Sequence, residues 1–372
     1  MRPAQLRLRA VERLAALGAL LLLLLATAGC GYGSDRATTE RAAATAAGPA
    51  LSTDRVRLGY FPELTDATAL VGVDRGLLQQ QLRGTRLDTA LFDSGPSEIE
   101  ALNAGAIDMG FVGPSPSIND YSRSQGTALR IVSGSVSGGV ALVVNPHRVA
   151  DADHLRGKRI ATPQLGNTQD VALLDWAAAR GWHIDPSSGR GDLSVVRMSN
   201  KLLPQAYLSG AVDGAWVPQP TAARLVAEGA RVLIDERSLW PGGRFAVTGL
   251  VVSQRFLTAH PDVVEAVLRG SVLTNAWLRA DPARAMAAAN AALKARTGKS
   301  LPAAVLAEAW NSLTVTDDPL ASTLRAEAQH AVTAGLTARL PRLAGIYDLR
   351  LLNQVLREQQ LPAVSAAGLG SQ

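Results

Sequence analysis

Cysteine is almost absent from this sequence: Cys30 is the single cysteine among 372 residues. One thiol cannot form an internal disulfide, a thiolate zinc cluster or an iron–sulfur site. The five histidines show no metal-ligand spacing, and the Walker A loop, the G-x-S-x-G elbow and the G-x-G-x-x-G fingerprint are all missing. The sequence therefore predicts no metal, no cofactor and no catalytic residue.

Neither sign of charge dominates once the first residues are set aside. Residues 1–29 contain four arginines against Glu12, a net charge of +3, which leaves about +2 of the total +5 for the rest of the chain. The basic and acidic residues of that remainder are interspersed. Such a distribution argues against a polyanion-binding face, so no nucleic acid partner is predicted.

The hydrophobic run from Leu14 to Ala26 is too short to span a bilayer comfortably. It follows a basic segment, an order typical of an export signal, here over residues 1–29. The sequence Thr27-Ala28-Gly29-Cys30 resembles a bacterial lipobox, which predicts that Cys30 is lipidated and anchored to a membrane; ordinary cleavage after Ala28 is the alternative. Residues 30–52, rich in small residues, are expected to form a flexible tether.

One short segment of the sequence is repeated. Residues Leu102 to Val112 resemble residues Tyr207 to Val217, and Gly105/Gly210, Asp108/Asp213 and Phe111/Trp216 occupy equivalent positions in the two copies. Arg57-Leu58-Gly59 and Arg159-Ile160-Ala161 precede the two copies at a similar spacing. The kept order and spacing predict two α/β units of similar plan. Because both aspartates follow a glycine turn at a strand start, we expect them to cap that turn rather than to catalyse.

Short apolar segments predict the strands of both units. They are Arg55–Tyr60, Leu87–Phe92, Ile107–Val112, Arg159–Ala161, Leu193–Arg197, Gly214–Val217 and Arg231–Ile234. Two further apolar strands, Val140–Val144 and Thr248–Val252, suggest crossings between two lobes at about residues 145 and 246, which form a hinge. We therefore expect lobe one to comprise residues 53–145 plus 246–372, with C-terminal helices from Pro261 onward, and lobe two to comprise residues 146–245.

This arrangement resembles the type II substrate-binding proteins of ABC importers, in particular the nitrate, sulfonate, taurine and bicarbonate group. The residues that carry the resemblance are Val56–Tyr60, Glu100–Gly113, Leu155–Ala161, Gly166–Thr168 and Gly210–Trp216. The resemblance implies an α/β fold of two doubly wound sheets, the type II periplasmic binding protein fold. It also implies a monomer whose partners are a small anionic solute, a permease and its ATPase. Where many members have an acidic residue after the Gly-x-x-Asp strand of lobe two, this chain reads Val217-Pro218-Gln219-Pro220.

Candidate binding residues follow from the rule that ligands lie outside the carboxyl ends of the strands in open α/β sheets. Helix starts at that edge offer unpaired N–H groups that bind oxyanions, and Gly166–Gln169 is the leading candidate. The resemblance implies an aromatic residue near the mouth of each lobe, with core packing as the alternative for Phe111 and Trp216. The predicted ligand-binding residues are Phe61, Thr65, Asp66, Ser94, Gly95, Gly113, Ser115, Gly134, Gly166, Asn167, Thr168, Gln169 and Trp216.

We therefore expect an extracytoplasmic, lipid-anchored protein that binds a small oxyanion-bearing solute without transforming it, an aliphatic sulfonate first of all. Nitrate, bicarbonate and a thiamine pyrimidine precursor remain open as ligands. The enzymatic alternative is a pyrimidine synthase of thiamine biosynthesis, whose Cys-rich motif this chain lacks. The aromatic content of 4% favours an anion held by amides over an aromatic ligand held by stacked rings.

Overall fold

Residues 49–372 are described by a computed structural model of the protein. The predicted signal peptide, Cys30 and the tether as far as residue 48 lie outside the described residues. The predicted tether boundary at residue 52 is two residues too late. Leu51 already packs against the core, and the backbone N–H of Ser52 donates a 2.7 Å hydrogen bond to Asp262.

The first part of the chain alternates strands and helices. In order these are β1 (Arg55–Tyr60), a 3-10 turn (Leu64–Asp66), α1 (Ala67–Asp74), α2 (Leu77–Gln81), β2 (Arg86–Leu91), α3 (Gly95–Asn103), β3 (Met109–Val112), α4 (Pro114–Arg123) and β4 (Leu129–Gly138). Strand β1 pairs in parallel with both β2 and β3, so the three strands end at the same edge of the sheet.

The second part repeats this plan. Its elements are β5 (Val140–Val144), β6 (Arg159–Thr162), α5 (Thr168–Ala178), β7 (Ser194–Arg197), α6 (Leu203–Leu208), β8 (Gly214–Pro218), α7 (Thr221–Ala227) and β9 (Arg231–Asp235). They build a sheet in the order β7-β6-β8-β5-β9, in which β6 pairs in parallel with β7 and β8. We call the part of the chain built on this sheet lobe two.

The last part returns to the first sheet. It contains β10 (Ala246–Ser253), α8 (Gln254–Ala259), α9 (Pro261–Ala280), α10 (Pro282–Thr297), α11 (Ala303–Asn311), β11 (Leu313–Val315), α12 (Leu324–Thr333), β12 (Tyr347–Asp348), α13 (Arg350–Glu358) and β13 (Gly370–Ser371). The first sheet runs β13-β12-β4-β10-β3-β1-β2, with β11 beside β4. We call the part built on it lobe one.

The two sheets have the same internal order. The parallel triplet β2-β1-β3 of lobe one corresponds to β7-β6-β8 of lobe two, and an antiparallel strand lies beside each triplet, β10 beside β3 and β5 beside β8. The predicted α/β fold with two sheets is confirmed, with both sheets mixed rather than wholly parallel.

One aspartate in each lobe holds the start of the central strand. Asp108 accepts hydrogen bonds from the backbone N–H and the Nε of Arg57, both at 2.9 Å. Asp213 accepts the equivalent bonds from Arg159, at 2.9 and 3.4 Å. The repeated aspartates therefore join neighbouring strands at the end opposite the strand carboxyl ends.

The first crossing between the sheets lies earlier than predicted. The whole strand Val140–Val144, assigned from the sequence to lobe one, pairs with β8 and β9 of lobe two. The chain changes sheets at Gly138 and Gly139, whose φ angles of 74° and 77° fall in the left-handed region that favours glycine. These two residues turn the backbone sharply, so β4 and β5 belong to different sheets although one residue separates them.

The helices after β10 complete the core of lobe one. Val263, Val264, Val267 and Leu268, spaced as expected for one face of a helix, are all fully buried on α9. Helix α9 packs against α1, α2 and α13.

Helix α12 contacts both lobes. It packs on α4 of lobe one and α5 of lobe two. Its Ala328 lies in the core of lobe one, whereas Ala334, just after the helix, lies in the core of lobe two. The Nε2 of His330 is 3.7 Å from the Oδ2 of Asp175 in α5.

Candidate functional site

A cavity lies between the lobes, where the carboxyl ends of six parallel strands face one another. Each of these strands, β1, β2, β3, β6, β7 and β8, contributes its last residue or the loop that follows it. The lining residues are Phe61, Glu63, Thr65, Asp66, Asp93, Ser94, Gly113, Asn167, Thr168, Gln169, Asn200 and Pro218, joined by Val247 and Thr248 of β10. The position of this cavity agrees with the rule that ligands of open α/β sheets bind outside the carboxyl ends of the strands.

Eight of the predicted binding residues line this cavity. They are Phe61, Thr65, Asp66, Ser94, Gly113, Asn167, Thr168 and Gln169. Three of them mark the start of a helix: Ser94 precedes α3, Gly113 precedes α4 and Asn167 precedes α5. In none of these helices does a side chain cap the first turn. Three helix starts therefore converge on one region, and the free amides there come chiefly from α5, because Pro96, Pro114 and Pro116 in the first turns of α3 and α4 have no N–H.

Three further predicted residues lie beside the cavity without lining it. The N–H of Gly95 donates to the Oδ1 of Asn167 at 3.4 Å, and the N–H of Gly166 donates to the Oδ2 of Asp170 at 3.0 Å, so both amides are engaged within the protein. Ser115 is buried in the first turn of α4, and its Oγ has no hydrogen-bond partner among the described residues.

Two predicted residues, Trp216 and Gly134, lie elsewhere, and their assignment to the cleft is wrong. Side chains alternate across a strand, and Trp216 points into the core of lobe two, where its Nε1 donates a 2.6 Å hydrogen bond to Glu236. Phe111 is likewise fully buried. At Gly134, a Cβ atom would lie 2.2 Å from the carbonyl oxygen of Asp318, so this glycine permits close packing of the C-terminal segment.

Six residues of the lining are not among those predicted from the sequence: Glu63, Asp93, Asn200, Pro218, Val247 and Thr248. The strand-end rule could have found the first three. Glu63 lies in the loop between the predicted residues Phe61 and Thr65, Asp93 comes directly before Ser94, and Asn200 follows β7.

The lobes touch each other around the cavity. The Nδ2 of Asn200 donates to the Oε1 of Glu63 at 2.8 Å, the Oγ of Ser94 donates to the Oε1 of Gln164, and the N–H of Leu64 donates to the Gln219 carbonyl at 3.2 Å. The cavity left between them has a volume of about 30 Å³, room for about two water molecules. A larger solute therefore enters only when the lobes part.

Burial raises the pKa of Glu63 and Asp66 in the lining and of Glu98 beside them. The pKa of Glu63 rises to about 7, because burial outweighs the hydrogen bond from Asn200 and the attraction of Arg224. Burial, and next the charge of Glu63, hold the pKa of Asp66 well above its usual range. The pKa of Glu98, packed against Gly59 and Gly110, is raised well above its usual range by burial and by the charge of Asp66.

A larger cavity, of about 490 Å³, lies away from the strand ends. Its charged lining is already paired: Arg237 with Asp235 at 2.6 Å, Arg279 with Asp317 at 3.0 Å and Arg244 with Asp318 at 3.4 Å. The cavity between the lobes therefore remains the candidate site, although it is smaller.

Within residues 49–372, no group of three His, Cys, Asp or Glu side chains is arranged to hold a metal ion. The helices of this same part of the chain include none with the length and apolar character needed to cross a membrane.

Known proteins share this architecture. The alkanesulfonate-binding protein SsuA from Xanthomonas axonopodis pv. citri, solved with MOPS bound, superimposes with a TM-score of 0.62 and 24% identity, covering 78% of this chain and 95% of that one. The periplasmic nitrate-binding protein NrtA from Synechocystis PCC 6803 gives a TM-score of 0.67 and 14% identity, covering 87% and 93%. At these identities the likeness shows the fold, which is that of periplasmic binding proteins.

Proteins that are similar in sequence also include a periplasmic binding protein. The taurine-binding periplasmic protein of Escherichia coli (strain K12) is 30% identical over 189 residues, a match that covers 51% of this chain and 56% of that relative. The chain thus spans just over half the length of this relative. The model of the NMT1-like family matches residues 50–293, more than half of the chain. The chain therefore belongs to the NMT1-like family.

Proposed function

We propose that this protein is the extracytoplasmic solute-binding component of an ABC importer. It captures a small oxyanion-bearing solute, an aliphatic sulfonate, between its lobes and delivers it unchanged to a permease with its ATPase. The observation that carries the proposal is the convergence of three uncapped helix starts on one cavity between two sheets of equal order. The relatives named for taurine, alkanesulfonate and nitrate binding support it.

Helix starts and side chains together supply donors for an oxyanion. The amides of Thr168 and Gln169 begin α5, both residues line the cavity, and the Thr168 hydroxyl is buried with no hydrogen-bond partner among the described residues. A hydrogen bond to a charged group contributes about 1.5–3 kcal/mol, so four such bonds give about 6–12 kcal/mol before ordering costs. Micromolar affinity requires about 8 kcal/mol. The amides and hydroxyls can therefore hold an anion in a cavity whose lining contains no arginine or lysine among the described residues.

Parting and closing of the lobes would accompany each binding event. The contacts Glu63–Asn200 and Ser94–Gln164 join the lobes directly at the cavity. A solute that touches both lobes stabilises the closed arrangement by its differential affinity for that arrangement. The chain crosses between the lobes in a sharp turn at Gly138 and Gly139, and the proposed motion would bend the chain at this crossing.

The sequence before residue 49 supports delivery to a membrane surface. We propose that the export signal is removed and that Cys30 is lipidated, leaving a monomeric body anchored outside the cytoplasm. Replacing Cys30 with Ser is expected to release the protein from the membrane fraction without changing solute affinity. Continued membrane association of the C30S variant would contradict the anchor.

A thermal-shift screen tests the choice of solute. Alkanesulfonates and taurine are expected to raise the unfolding temperature, because a ligand that binds the folded state stabilises it. Nitrate, bicarbonate and thiamine pyrimidine precursors are the rival ligands in the same screen. Phe61 is the single aromatic side chain in the described lining, which gives a pyrimidine ring no second stacking partner. Stabilisation by a pyrimidine alone would overturn the sulfonate assignment, and turnover of any bound compound would overturn the binding-protein assignment.

A further inference from the structure

Two buried glutamates lie where helix α12 meets lobe two. Glu327 belongs to α12, and Glu236 begins the 3-10 turn Glu236–Leu239 that follows β9. Each of the two glutamates is only 3% exposed. The ring of Trp240, directly after this turn, lies 5.1 Å from the ring of His330 on α12, so the turn and the helix are in contact. Glutamate is almost never buried so deeply unless a cation pairs with it.

Few donors reach these two carboxyl groups. The Nε1 of Trp216 donates a 2.6 Å hydrogen bond to the Oε2 of Glu236. The Oε1 of Glu327 is buried and has no hydrogen-bond partner among the described residues. Burial of a carboxylate that loses its hydration without replacement is costly, and two ionised carboxylates close together also repel each other. The contact between α12 and lobe two therefore favours protonated glutamates.

The base next to Glu236 in the sequence is already paired. Arg237 forms a 2.6 Å ion pair with Asp235. Burial raises the pKa of Glu236 to about 7; the indoles of Trp216 and Trp240 counter this effect in part, and the charge of Asp235 adds to it. The described part of lobe two thus contributes no cation to the groups that act on Glu236.

The groups that act on Glu327 are also acidic. Burial, then the charge of Glu236 and then that of Asp175 on α5, hold the pKa of Glu327 well above its usual range. Tyr347 of β12 is neutral, because burial and next the charge of Glu327 raise its pKa. The other ionisable side chains on the elements packed here are Asp170 on α5, Arg325 on α12, Asp348 on β12, and Asp120, Tyr121 and Arg123 on α4. None of them acts on the pKa of Glu327.

His330 responds to pH in the opposite direction. Its Nε2 is 3.7 Å from the Oδ2 of Asp175. Burial lowers the pKa of His330, and the charge of Asp175 offsets this only in part. Protonation of the imidazole therefore opposes the contact at acid pH, below the usual histidine pKa of about 6.5. Above that pH, the two glutamates are the groups whose ionisation acts against the contact.

We propose that Glu236 and Glu327 form a proton-operated latch between lobe two and helix α12. While at least one of the two carboxyl groups carries a proton, α12 stays packed on lobe two. Release of the last proton to solvent leaves two buried charges, and α12 then leaves lobe two, so that water hydrates both carboxylates. Because α12 also packs on α4 of lobe one, its release loosens the connection between the lobes. The latch does not depend on the solute that the cavity binds.

Hydrogen exchange of the whole protein without solute tests the latch. The amides of residues 324–336 are followed between pH 6.5 and pH 8.5, and each rate is divided by its intrinsic rate at that pH. In the wild type, the opening constant of this segment should rise at least about tenfold over this range, because the packed form holds a proton that the open form has released. Glu308→Gln, which changes an exposed glutamate of α11, should behave as the wild type does.

A double-mutant cycle separates a latch from two independent buried acids. At pH 8.5, Glu236→Gln or Glu327→Gln alone should remove most of the increase, since either substitution removes the repulsion between the two charges. The double variant should add little to the effect of either single substitution. It retains His330 and therefore gives the background dependence on pH.

The outcomes decide the proposal. An equal rise of the opening constant in the wild type and the double variant would overturn the latch, and so would additive effects of the two single substitutions at pH 8.5. If one single variant does not fold, as judged by circular dichroism, the other is compared with the wild type, and an unchanged rise in that variant would overturn the latch. Sulfonate binding is measured separately, so its failure would overturn the proposed function alone.

Discussion

The Oε1 of Glu63 in lobe one accepts a 2.8 Å hydrogen bond from the Nδ2 of Asn200 in lobe two. This bond lies on the wall of the cavity, so it forms only when the lobes are together. A solute bound between the lobes, as proposed above, would therefore favour the arrangement in which this bond is formed.

Asn200→Ala should weaken solute binding about fivefold. Loss of a hydrogen bond to a carboxylate that is partly protonated near neutral pH costs about 1 kcal/mol of the closed state. Titration calorimetry with a sulfonate that the wild-type protein binds gives the measurement. Ser199→Ala, one residue earlier, removes a hydroxyl that contacts only the N–H of Lys201, at 3.4 Å, and should leave affinity unchanged. Equal affinities of the Asn200→Ala variant and the wild type would show that this bond does not contribute to closure.

Gly113→Ala should obstruct closure. A Cβ at residue 113 would lie 2.5 Å from the Oγ of Thr168 in the opposite lobe. We expect a loss of about 1–3 kcal/mol in binding, the usual cost of overpacking, with an unfolding temperature close to that of the wild type, because the open arrangement has room for the methyl group. Gly249→Ala is the control: it crowds the carbonyl of Ser133 within lobe one, at 3.1 Å, and should lower stability rather than affinity. Unchanged affinity of the Gly113 variant would contradict close approach of the lobes at this point.

Stability should fall as the pH rises from about 4.5 to about 7. Burial raises the pKa of Glu236 from 4.5 to about 7, with Asp235 and Glu327 as neighbouring acids. The folded state then binds a proton that the unfolded state has released, so the contribution of Glu236 is complete below about pH 4.5 and is lost as the pH passes about 7. The loss amounts to up to about 3 kcal/mol.

Urea unfolding at a series of pH values measures this dependence. Glu236→Gln keeps an oxygen acceptor for the Nε1 of Trp216 but cannot ionise, so the slope between pH 5 and pH 7 should decrease. Glu228→Gln changes an exposed side chain and should preserve the slope. An unaltered slope in the Glu236 variant would mean that another group controls the pH dependence.

Asp108→Ala should destabilise lobe one without affecting solute affinity. The substitution leaves the N–H and the guanidinium of Arg57 without their acceptor, at a cost of about 2–4 kcal/mol. Thermal unfolding gives the stability and calorimetry gives the affinity. Asp88→Ala removes an exposed partner of Arg86 and should change stability by less than about 1 kcal/mol. A stable Asp108 variant with lost binding would assign this aspartate a functional role instead.

Local patterns in the sequence predicted those features that depend on a single element or on its repetition. The predicted bounds of strand β1 are the observed ones, and the match of Asp108 with Asp213 predicts two α/β units of similar plan, each of which is built on its own sheet. Asn167 to Gln169 are predicted correctly as a helix start because a helix that begins after a strand can be recognised from the local sequence, without knowledge of the other lobe.

Features that depend on packing between elements were not predictable in this way. Trp216 and Phe111 lie in strands whose residues are all buried. The sequence pattern of such a strand does not show which of its two faces packs against the helices. Glu63 and Asn200 meet only because two loops 137 residues apart face each other across the cleft. The crossing at Gly138 was placed too late because β5 is as apolar as a central strand of either sheet.

Helix α12 restricts how the molecule can open. It rests on α4 and α5, two of the three helices that begin at the cavity. If the lobes moved so that α4 and α5 separated directly, α12 would lose its contact with one of these helices. Buried residues such as Leu324 or Ala334 would then be exposed to water. Opening would cost less as a rotation whose axis runs close to α12. The mouth of the cavity would then widen on the side opposite α12, and the proposed solute would enter and leave there.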